Sequence, residues 1–220
     1  MCTVFITGGT GYMGRKLVER LVVHGDRVLA LVRAGSETKL PPGCEPVPGN
    51  ALDAATFGGR VAPADTFVQL IGVAHPSPAK AEQFRTVDLA AIQAGVAAAK
   101  AAKVSHFVYV SVAQPAPVMK AFLTVRQEGE RLVGEAGFAA TILRPWYVLG
   151  PGHRWPYLLL PVYGLLRSIP ATRESAHRLG LVTLDQMVSA LEEAVAHPPT
   201  GVKVVEVPQI RNAGVHRERA

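Results

Sequence analysis

The sequence predicts an α/β protein built on a doubly wound parallel sheet. Strand-like apolar runs alternate with helix-like segments along most of the chain. A glycine-rich turn joins the first of these strands to the first helix. The apolar residues, 49% of the 220, are mostly Ala, Val and Leu, and this composition suits helices packed on a buried sheet.

Short apolar runs predict seven strands. They are residues 3–7, 27–32, a short run within 44–53, 66–71, 106–112, 139–145 and 202–207. Apolar residues at helical spacing, ended in the first case by Gly25, predict four helices. They cover residues 12–24, 78–102, 120–137 and 183–197. Because helices lie between most successive strands, the strands are expected to run parallel, with helices on both faces.

The turn after the first strand has the sequence TGGTGYMG. Glycines in this place permit a tight turn, a close approach of backbone to phosphate, and close packing of helix on strand. The helix N-terminus adds free N–H groups and a positive dipole. We therefore predict a pyrophosphate-binding turn, in preference to a purely structural one, formed by Gly8, Thr10, Gly11, Tyr12, Met13 and Gly14.

Residues 1–150 are predicted to form this dinucleotide-binding core. Residues 151–210 are predicted to form a reduced substrate lobe with a strand and helix that return to the core, and residues 211–220 a flexible basic tail. Within the lobe, residues 155–166 are free of charge but too short to span a bilayer, and two prolines interrupt them. A buried or pocket-covering helix is the preferred interpretation, and contact with a membrane surface or a second subunit is the alternative.

Charge and cysteine content favour a cytoplasmic protein that binds small molecules. The 23 Lys and Arg exceed the 17 Asp and Glu, but they are scattered, so no nucleic-acid partner is expected. Cys2 and Cys44 lack metal-ligand spacing, and no metal is expected. The N-terminus enters a strand directly, without the features of a signal peptide, and no transmembrane segment is expected.

Several motifs resemble those of short-chain dehydrogenases/reductases, in their extended and atypical branches. Residues 7–14 resemble the family's T-G-x-x-G-x-x-G turn. Residues 49–53, GNALD, resemble its G-D-x-x-D turn beside the adenine, with Asn50 in place of the first Asp. A longer segment ending in FVYVS has Asp88 where the family usually has Asn. The stretches LRPWYVLGPG and GLVTLDQMVSALEEAV resemble two further motifs, so the resemblance covers nearly the whole chain.

The resemblance implies the family's NAD(P)-binding Rossmann fold and further cofactor contacts. These implied contacts are Asn50, Ala51, Leu70, Ile71, Gly72, Ser111, Arg126, Pro145 and Val148. After the second strand comes Arg33, and no acidic residue follows until Glu37. A carboxylate there would favour NAD, whereas arginine can pair with the 2′-phosphate of NADP. NADP(H) is therefore predicted in preference to NAD(H).

The family's catalytic groups are a tyrosine, a lysine four residues later on the same helix face, and a serine after the fifth strand. At the matching positions this chain has Phe122, Arg126 and Ala113. Phenylalanine has no proton to transfer, and arginine does not donate one near neutral pH. The catalytic groups are therefore unassigned, and weaker candidates in loops near the expected nicotinamide are Tyr147, His75 and His153. Their alternative roles are a pocket wall for the tyrosine and an exposed loop for His75.

Three functions remain open. The preferred one is an atypical NADPH-dependent reductase of a small apolar carbonyl or enone, whose proton comes from water, substrate or a nonstandard residue. An apolar pocket that includes Trp146, Tyr147 and Trp155 would suit such a substrate. The second is a regulatory or scaffold protein that senses NADP(H) and binds another macromolecule, and the missing acid favours it. The third, an epimerase or dehydratase, is less favoured because the lobe is short. A homodimer is compatible with each.

Overall fold

A computed structural model describes residues 1–116, 119–150 and 179–213. Seven parallel strands form its central sheet. They are β1 (Thr3–Thr7), β2 (Arg27–Val32), β3 (Glu45–Pro48), β4 (Thr66–Gln69), β5 (His106–Val110), β6 (Ala139–Arg144) and β9 (Val202–Glu206). A separate parallel pair, missed in the sequence, consists of β7 (Tyr147–Leu149) and β8 (Leu181–Thr183).

The strand order in the sheet is β3-β2-β1-β4-β5-β6-β9. The chain therefore builds outward from β1 in one direction and then from β4 in the other, which confirms the predicted doubly wound architecture. Such a reversal leaves a crevice outside the carboxyl ends of the two central strands, and open α/β sheets bind ligands there.

The described helices are α1 (Tyr12–His24), α2 (Ala81–Gln83), α3 (Ala90–Ala101), α4 (Lys120–Glu135), α5 (Leu184–Ala196) and α6 (Val207–Asn212). The predicted helix over residues 78–102 is not uniform. It consists of a 3-10 turn at Pro78–Lys80, then α2, a π-helical turn at Phe84–Leu89, and α3. In the π-helical turn the N–H of Ala90 reaches back to the carbonyl of Arg85, five residues earlier.

Three strands are shorter at their carboxyl ends than the sequence predicts, and the predicted strand 202–207 ends one residue early as β9, at Glu206, directly before α6 begins. The predicted strands 66–71, 106–112 and 139–145 end as β4 at Gln69, as β5 at Val110 and as β6 at Arg144. For β4 the reason is its neighbour, because Gln69 pairs with Thr7, the last residue of β1 before the glycine turn. The residues beyond these ends enter the loops at the carboxyl edge of the sheet.

Alternate residues of β1 face opposite sides of the sheet, as the pleat of a strand requires. Val4 and Ile6 belong to a core that includes residues of α1 and α5. Phe5 belongs to the core on the other face, where rings stack across the strands. The ring centroids of Phe5 and Phe67 lie 5.2 Å apart, and those of Phe67 and Phe107 lie 5.1 Å apart. Both faces of the sheet are therefore buried.

Arg20 joins α1 to α5 on the first of these faces. Its guanidinium forms ion pairs with Asp185 and Glu192 and donates to Ser189 Oγ at 2.9 Å. Because these partners lie more than 160 positions later in the chain, this contact fixes the C-terminal helix pair against the first βα unit. Within the described ranges, no helix is both long enough and apolar enough to cross a membrane.

The imidazole of His106 is buried in the sheet between two threonine hydroxyls. Its ring nitrogens lie 3.2 Å from Thr66 Oγ1 and 3.1 Å from Thr141 Oγ1. Burial lowers the pKa of His106 to about 4, because the charged ring would lose its hydration. The folded protein therefore keeps this ring neutral in mildly acidic solution.

We expect this histidine to lower the free energy of unfolding by about 3 kcal/mol as the pH falls from about 6.5 to about 4. In that window the unfolded chain binds a proton that the folded chain does not, so stability decreases with falling pH. In the His106→Asn variant this contribution should disappear, although the variant is less stable at neutral pH. Urea denaturation at several pH values measures the slope. His197→Asn, at an exposed histidine, should keep the wild-type slope; an unchanged slope in His106→Asn would contradict the prediction.

Candidate cofactor and substrate site

A cavity of about 430 Å³ opens at the carboxyl edge of the sheet. The glycine turn, the loop after β4, the end of β5, α4 and the loop after β6 line it. The predicted site residues in this lining are Gly8, Gly11, Tyr12, Met13, Gly14, Leu70, Gly72, His75, Ser111, Phe122, Arg126, Pro145, Tyr147 and Val148. The topology thus brings together residues from five separate segments.

Other predicted residues lie outside this lining. They are Thr10, Arg33, Asn50, Ala51, Ile71 and Ala113. Residues 151–178 of the predicted lobe, which include His153 and the apolar segment 155–166, fall outside the described residues, as do residues 214–220 of the predicted tail. Trp146, which the sequence analysis placed in an apolar substrate pocket, also lies in this lining. Conversely, the lining includes residues that the sequence analysis did not assign to the site, namely Val73, Ala74, Pro76, Val110 and Val112.

The glycine turn is shaped for a phosphate group. Gly8 has a φ of +77°, in the left-handed region that favours glycine, and a side chain at Gly14 would overlap the Gly8 carbonyl oxygen. Gly11 is the N-cap of α1, and no side chain caps this helix in the described part of the chain. The first N–H groups of α1 therefore remain available to an anion. The residues present fit the pyrophosphate of a dinucleotide.

Arg126 of α4 and Asp88 of the π-helical turn form a buried ion pair at the wall of the cavity. Arg126 Nη2 lies 2.5 Å from Asp88 Oδ1, and Nη1 donates to the carbonyl oxygen of Val110 at 2.9 Å. The second carboxylate oxygen of Asp88 accepts from the N–H of Val73 at 3.0 Å. Burial raises the pKa of the Asp88 carboxyl, and the charge of Arg126 opposes that rise.

The Arg126 guanidinium is held against the protein. A side chain at Gly72 would place its Cβ 2.5 Å from Nη2. The Phe122 ring centroid lies 5.0 Å from Arg126 Cζ, and the ring also packs on Phe84 at 5.0 Å. Arg126 Nε is buried and has no hydrogen-bond partner among the described residues. Arg126 is therefore a fixed element of the cavity wall, in contrast to a flexible lysine.

The matching positions for tyrosine and serine carry no hydroxyl. Phe122 lines the cavity as an aromatic wall beside Arg126. Ala113 is fully buried in the hydrophobic core, and its N–H donates to the carbonyl of Pro145 at 2.9 Å. Neither residue can pass a proton to a carbonyl oxygen.

The serine that is present, Ser111, has a carboxylate partner. Its Oγ lies 2.5 Å from Glu130 Oε1, and Gln114 donates to the same oxygen at 2.8 Å. Arg144 donates to both oxygens of Glu130, at 2.9 and 2.5 Å, and to Glu206 at 3.0 Å. The sequence analysis missed Glu130. Its spacing of four residues from Arg126, on one face of α4, was the signal that could have found it.

The predicted adenine and ribose residues follow β2 and β3, the two strands next to β1 on one side of the sheet. Arg33 directly follows β2 and is exposed, and its carbonyl accepts from the N–H of Ser36 at 3.0 Å. Asn50 follows β3, and its Oδ1 accepts from the N–H of Leu52 at 3.1 Å. The Thr56 hydroxyl binds the backbone of Asn50 from the other side of the turn. The predicted adenine and ribose region therefore consists of a hydrogen-bonded turn at Asn50 and the exposed guanidinium of Arg33.

His75, in the loop after β4, and Tyr147, at the start of β7, both line the cavity. His75 is exposed and has a φ of +50°, which is uncommon for a residue with a side chain. Burial raises the pKa of the Tyr147 hydroxyl, and the ring of Trp146 packs edge-on against it at 5.4 Å. A role for either residue in proton transfer stays a prediction.

Cys2 and Cys44 are free thiols. Burial, with the nearby carboxylates of Asp26 and Asp65, raises the pKa of Cys2 to about 11, so this thiol is a poor nucleophile near neutral pH. Across the described ranges, no group of three or more His, Cys, Asp and Glu side chains is placed to hold a metal ion.

A parallel sheet that reverses its strand order above a glycine turn of this shape is a dinucleotide-binding Rossmann domain. Residues 8–154 match the model of a family described as NAD(P)H-binding, and the chain belongs to that family. This match, together with the solved structures of similar fold, is consistent with the resemblance to short-chain dehydrogenases/reductases.

Two curated relatives are reductases. The chain is 26% identical over 168 residues to the 4-hydroxy-2-methyl-3-oxo-4-farnesyl-3,4-dihydroquinoline-1-oxide ketoreductase of Stigmatella aurantiaca, covering 66% of this chain and 50% of that protein. It is 26% identical over 219 residues to the ceramide reductase of Caulobacter vibrioides, covering 96% of this chain and 66% of that protein. The chain thus spans between half and two thirds of the length of these relatives.

Among solved structures, the chain resembles WbmH from Bordetella bronchiseptica, which was crystallised in complex with NAD+. The TM-score is 0.70 at 20% identity, over 100% of this chain and 82% of that one. At this identity the likeness shows the fold.

Proposed function

We propose that the protein binds NADP(H) and reduces a ketone carried by a hydrophobic molecule. The observation that carries the proposal is the continuity of the cavity, which runs from the glycine turn to an apolar wall. Apolar side chains of that wall include Met13, Val73, Phe122, Trp146 and Val148. The two reductase relatives, one named for a farnesyl-bearing ketone and one for ceramide, support a substrate with a long apolar part.

In this proposal the glycine turn and the N-terminus of α1 hold the pyrophosphate, and Arg33 holds the 2′-phosphate. Asn50 and Ala51 lie along the adenine. When bound, the nicotinamide supplies the hydride for ketone reduction. The apolar wall orients the substrate and excludes water from it, which also protects the hydride.

The proton for the ketone oxygen needs a source other than the family's tyrosine, because Phe122 occupies that position. The proton-bearing side chains that line the cavity in the described ranges include Tyr12, His75 and Tyr147. Water and the substrate itself are the remaining sources. The proton donor in the proposed ketone reduction is one of these groups.

The second candidate is a protein that binds NADP(H) to sense its redox state without turnover. The observation that favours it is the pair of positions without hydroxyls, Ala113 and Phe122. The two candidates differ in one measurable respect, because a sensor binds NADPH and leaves every ketone unreduced.

Cofactor preference tests the Arg33 assignment. We expect wild type to bind NADPH at least about ten times more tightly than NADH, and Arg33→Ala to lose about tenfold or more for NADPH, because a charge-assisted pair with the phosphate disappears. Its affinity for NADH should hardly change. Fluorescence titration of both cofactors measures this, with Arg60→Ala as the control at another exposed arginine. Equal affinities of wild type for the two cofactors would refute the preference.

NADPH oxidation in the presence of aliphatic methyl ketones of increasing chain length tests the activity itself. Under the reductase proposal, kcat/KM rises with chain length until the apolar wall is covered. Tight NADPH binding with no oxidation by any ketone of the series favours the sensor.

A further inference from the structure

The hydrogen bonds of Ser111 indicate which substrate group the cavity accepts. We propose that Ser111 Oγ accepts a hydrogen bond from the substrate, so that the preferred ketone carries a hydroxyl or N–H donor beside its carbonyl. The inference rests on the proposed reductase function and names the substrate class of the same site.

The hydrogen-bond partners of Ser111 determine where its hydroxyl proton points. Ser111 Oγ lies 2.5 Å from Glu130 Oε1. Arg144 donates to both oxygens of that carboxylate, at 2.9 and 2.5 Å. An ionised carboxylate only accepts hydrogen bonds, so the single hydroxyl proton of Ser111 is directed at Glu130. The cavity is left with the lone pairs of the serine oxygen.

The charges behind Ser111 reinforce this arrangement. Glu130 and Glu206 share one cation, Arg144, so this cluster has one negative charge in excess. Ser111 is 5% exposed, and its backbone N–H is bound to the carbonyl of Leu143 at 2.8 Å, which fixes the residue at the cavity wall. A hydrogen bond to a carboxylate makes the serine oxygen a stronger acceptor.

A ketone oxygen has lone pairs and no proton, so it gains nothing from Ser111 in this state. In the wider family, the serine that polarises the carbonyl donates a hydrogen bond to it. Ser111, by contrast, offers the cavity only a hydrogen-bond acceptor. A hydroxyl or amide N–H next to the carbonyl supplies the donor that the serine oxygen lacks. The site then distinguishes such a ketone from the same molecule without the donor.

The test compares an aliphatic α-hydroxyketone with the ketone of the same chain length that lacks the hydroxyl. Wild type should prefer the hydroxyketone by about 5- to 10-fold in kcat/KM, the size expected for one hydrogen bond. In Ser111→Ala the ratio should fall to about 1. The control is Ser105→Ala at the other end of β5, where the hydroxyl donates to the Asp65 carbonyl at 2.9 Å. This variant should keep the wild-type ratio.

Glu130 acts here as a positioning residue, and Glu130→Gln tests that role. The glutamine amide can donate to Ser111 Oγ and release the hydroxyl proton toward the cavity. The substrate ratio should therefore fall although Ser111 is intact. A merely structural role would lower both kcat/KM values together and leave the ratio unchanged.

Two outcomes overturn the inference alone. The first is wild type reducing both ketones equally well. The second is Ser111→Ala keeping the preference, including the case in which it binds NADPH more weakly, which would assign the serine to the cofactor. If wild type binds NADPH and reduces neither ketone, the proposed function fails and this inference fails with it.

Discussion

Replacing Gly14 with alanine is expected to abolish measurable NADPH binding. The new Cβ would overlap the Gly8 carbonyl oxygen and approach Gly9 Cα to 2.9 Å, so the turn must open. The N–H groups at the start of α1 would then no longer point at the pyrophosphate. Losing two charge-assisted hydrogen bonds, at about 1.5–3 kcal/mol each, weakens binding by about 10²- to 10⁴-fold. Calorimetric titration with NADPH measures the loss.

Gly134→Ala is the matched control. A Cβ at Gly134, an exposed position of α4, meets no atom within 4 Å. This variant should bind NADPH like wild type and gain up to about 1 kcal/mol of stability from the better helix propensity of alanine. Wild-type affinity in a folded Gly14→Ala variant would show that the glycine turn does not hold the phosphates.

Asp88→Ala is expected to reduce the free energy of unfolding by about 3–5 kcal/mol, because it leaves the Arg126 charge buried without its counter-charge. The side chains of Asp88 and Arg126 are 0% and 9% exposed. The same change removes the acceptor for the Val73 N–H, so the loop that lines the cavity loses its attachment. Urea denaturation measures the stability, and NADPH titration reports the effect on the loop.

Two further variants test whether the unpaired charge of Arg126 causes this loss of stability. Glu128→Ala breaks an exposed ion pair with Arg131 on the same helix and should change stability far less. The double variant Asp88→Ala/Arg126→Met removes both charges and should be more stable than Asp88→Ala alone. A double variant that is less stable than the single one would mean that the uncompensated charge is not the cause.

The sheet was predictable because local patterns determine a βα unit. A strand, a glycine turn and a helix with apolar residues at helical spacing predicted β1, α1 and β2 with the bounds that the structure has. The same pattern predicted the glycine turn, and the structure requires glycine for steric reasons at Gly8 and Gly14. Where each contact lies within one unit of the chain, sequence spacing is enough.

The remaining features depend on distant parts of the chain. Glu130 meets Ser111 and Arg144 only after β5, α4 and β6 have packed together. The β7–β8 pair joins two three-residue strands that are separated by residues 150–180, and such short runs give no periodic signal. The sequence shows Asp88 as a departure from the family's asparagine. That Arg126 is its partner is visible only in the folded structure.

The π-helical turn at Phe84–Leu89 has a consequence for the direction of Asp88. Such a turn contains one residue more than an α-helical turn, and one residue corresponds to about 100° of rotation about the helix axis. Asp88 faces Arg126 while α3, directly after it, packs Ala91, Ile92 and Gly95 into the core. The extra residue thus acts as an angular spacer between two orientations of one continuous helix. Deleting one residue of this turn would change the composition very little. It would, however, rotate Asp88 by about 100° relative to the face of α3 that packs into the core.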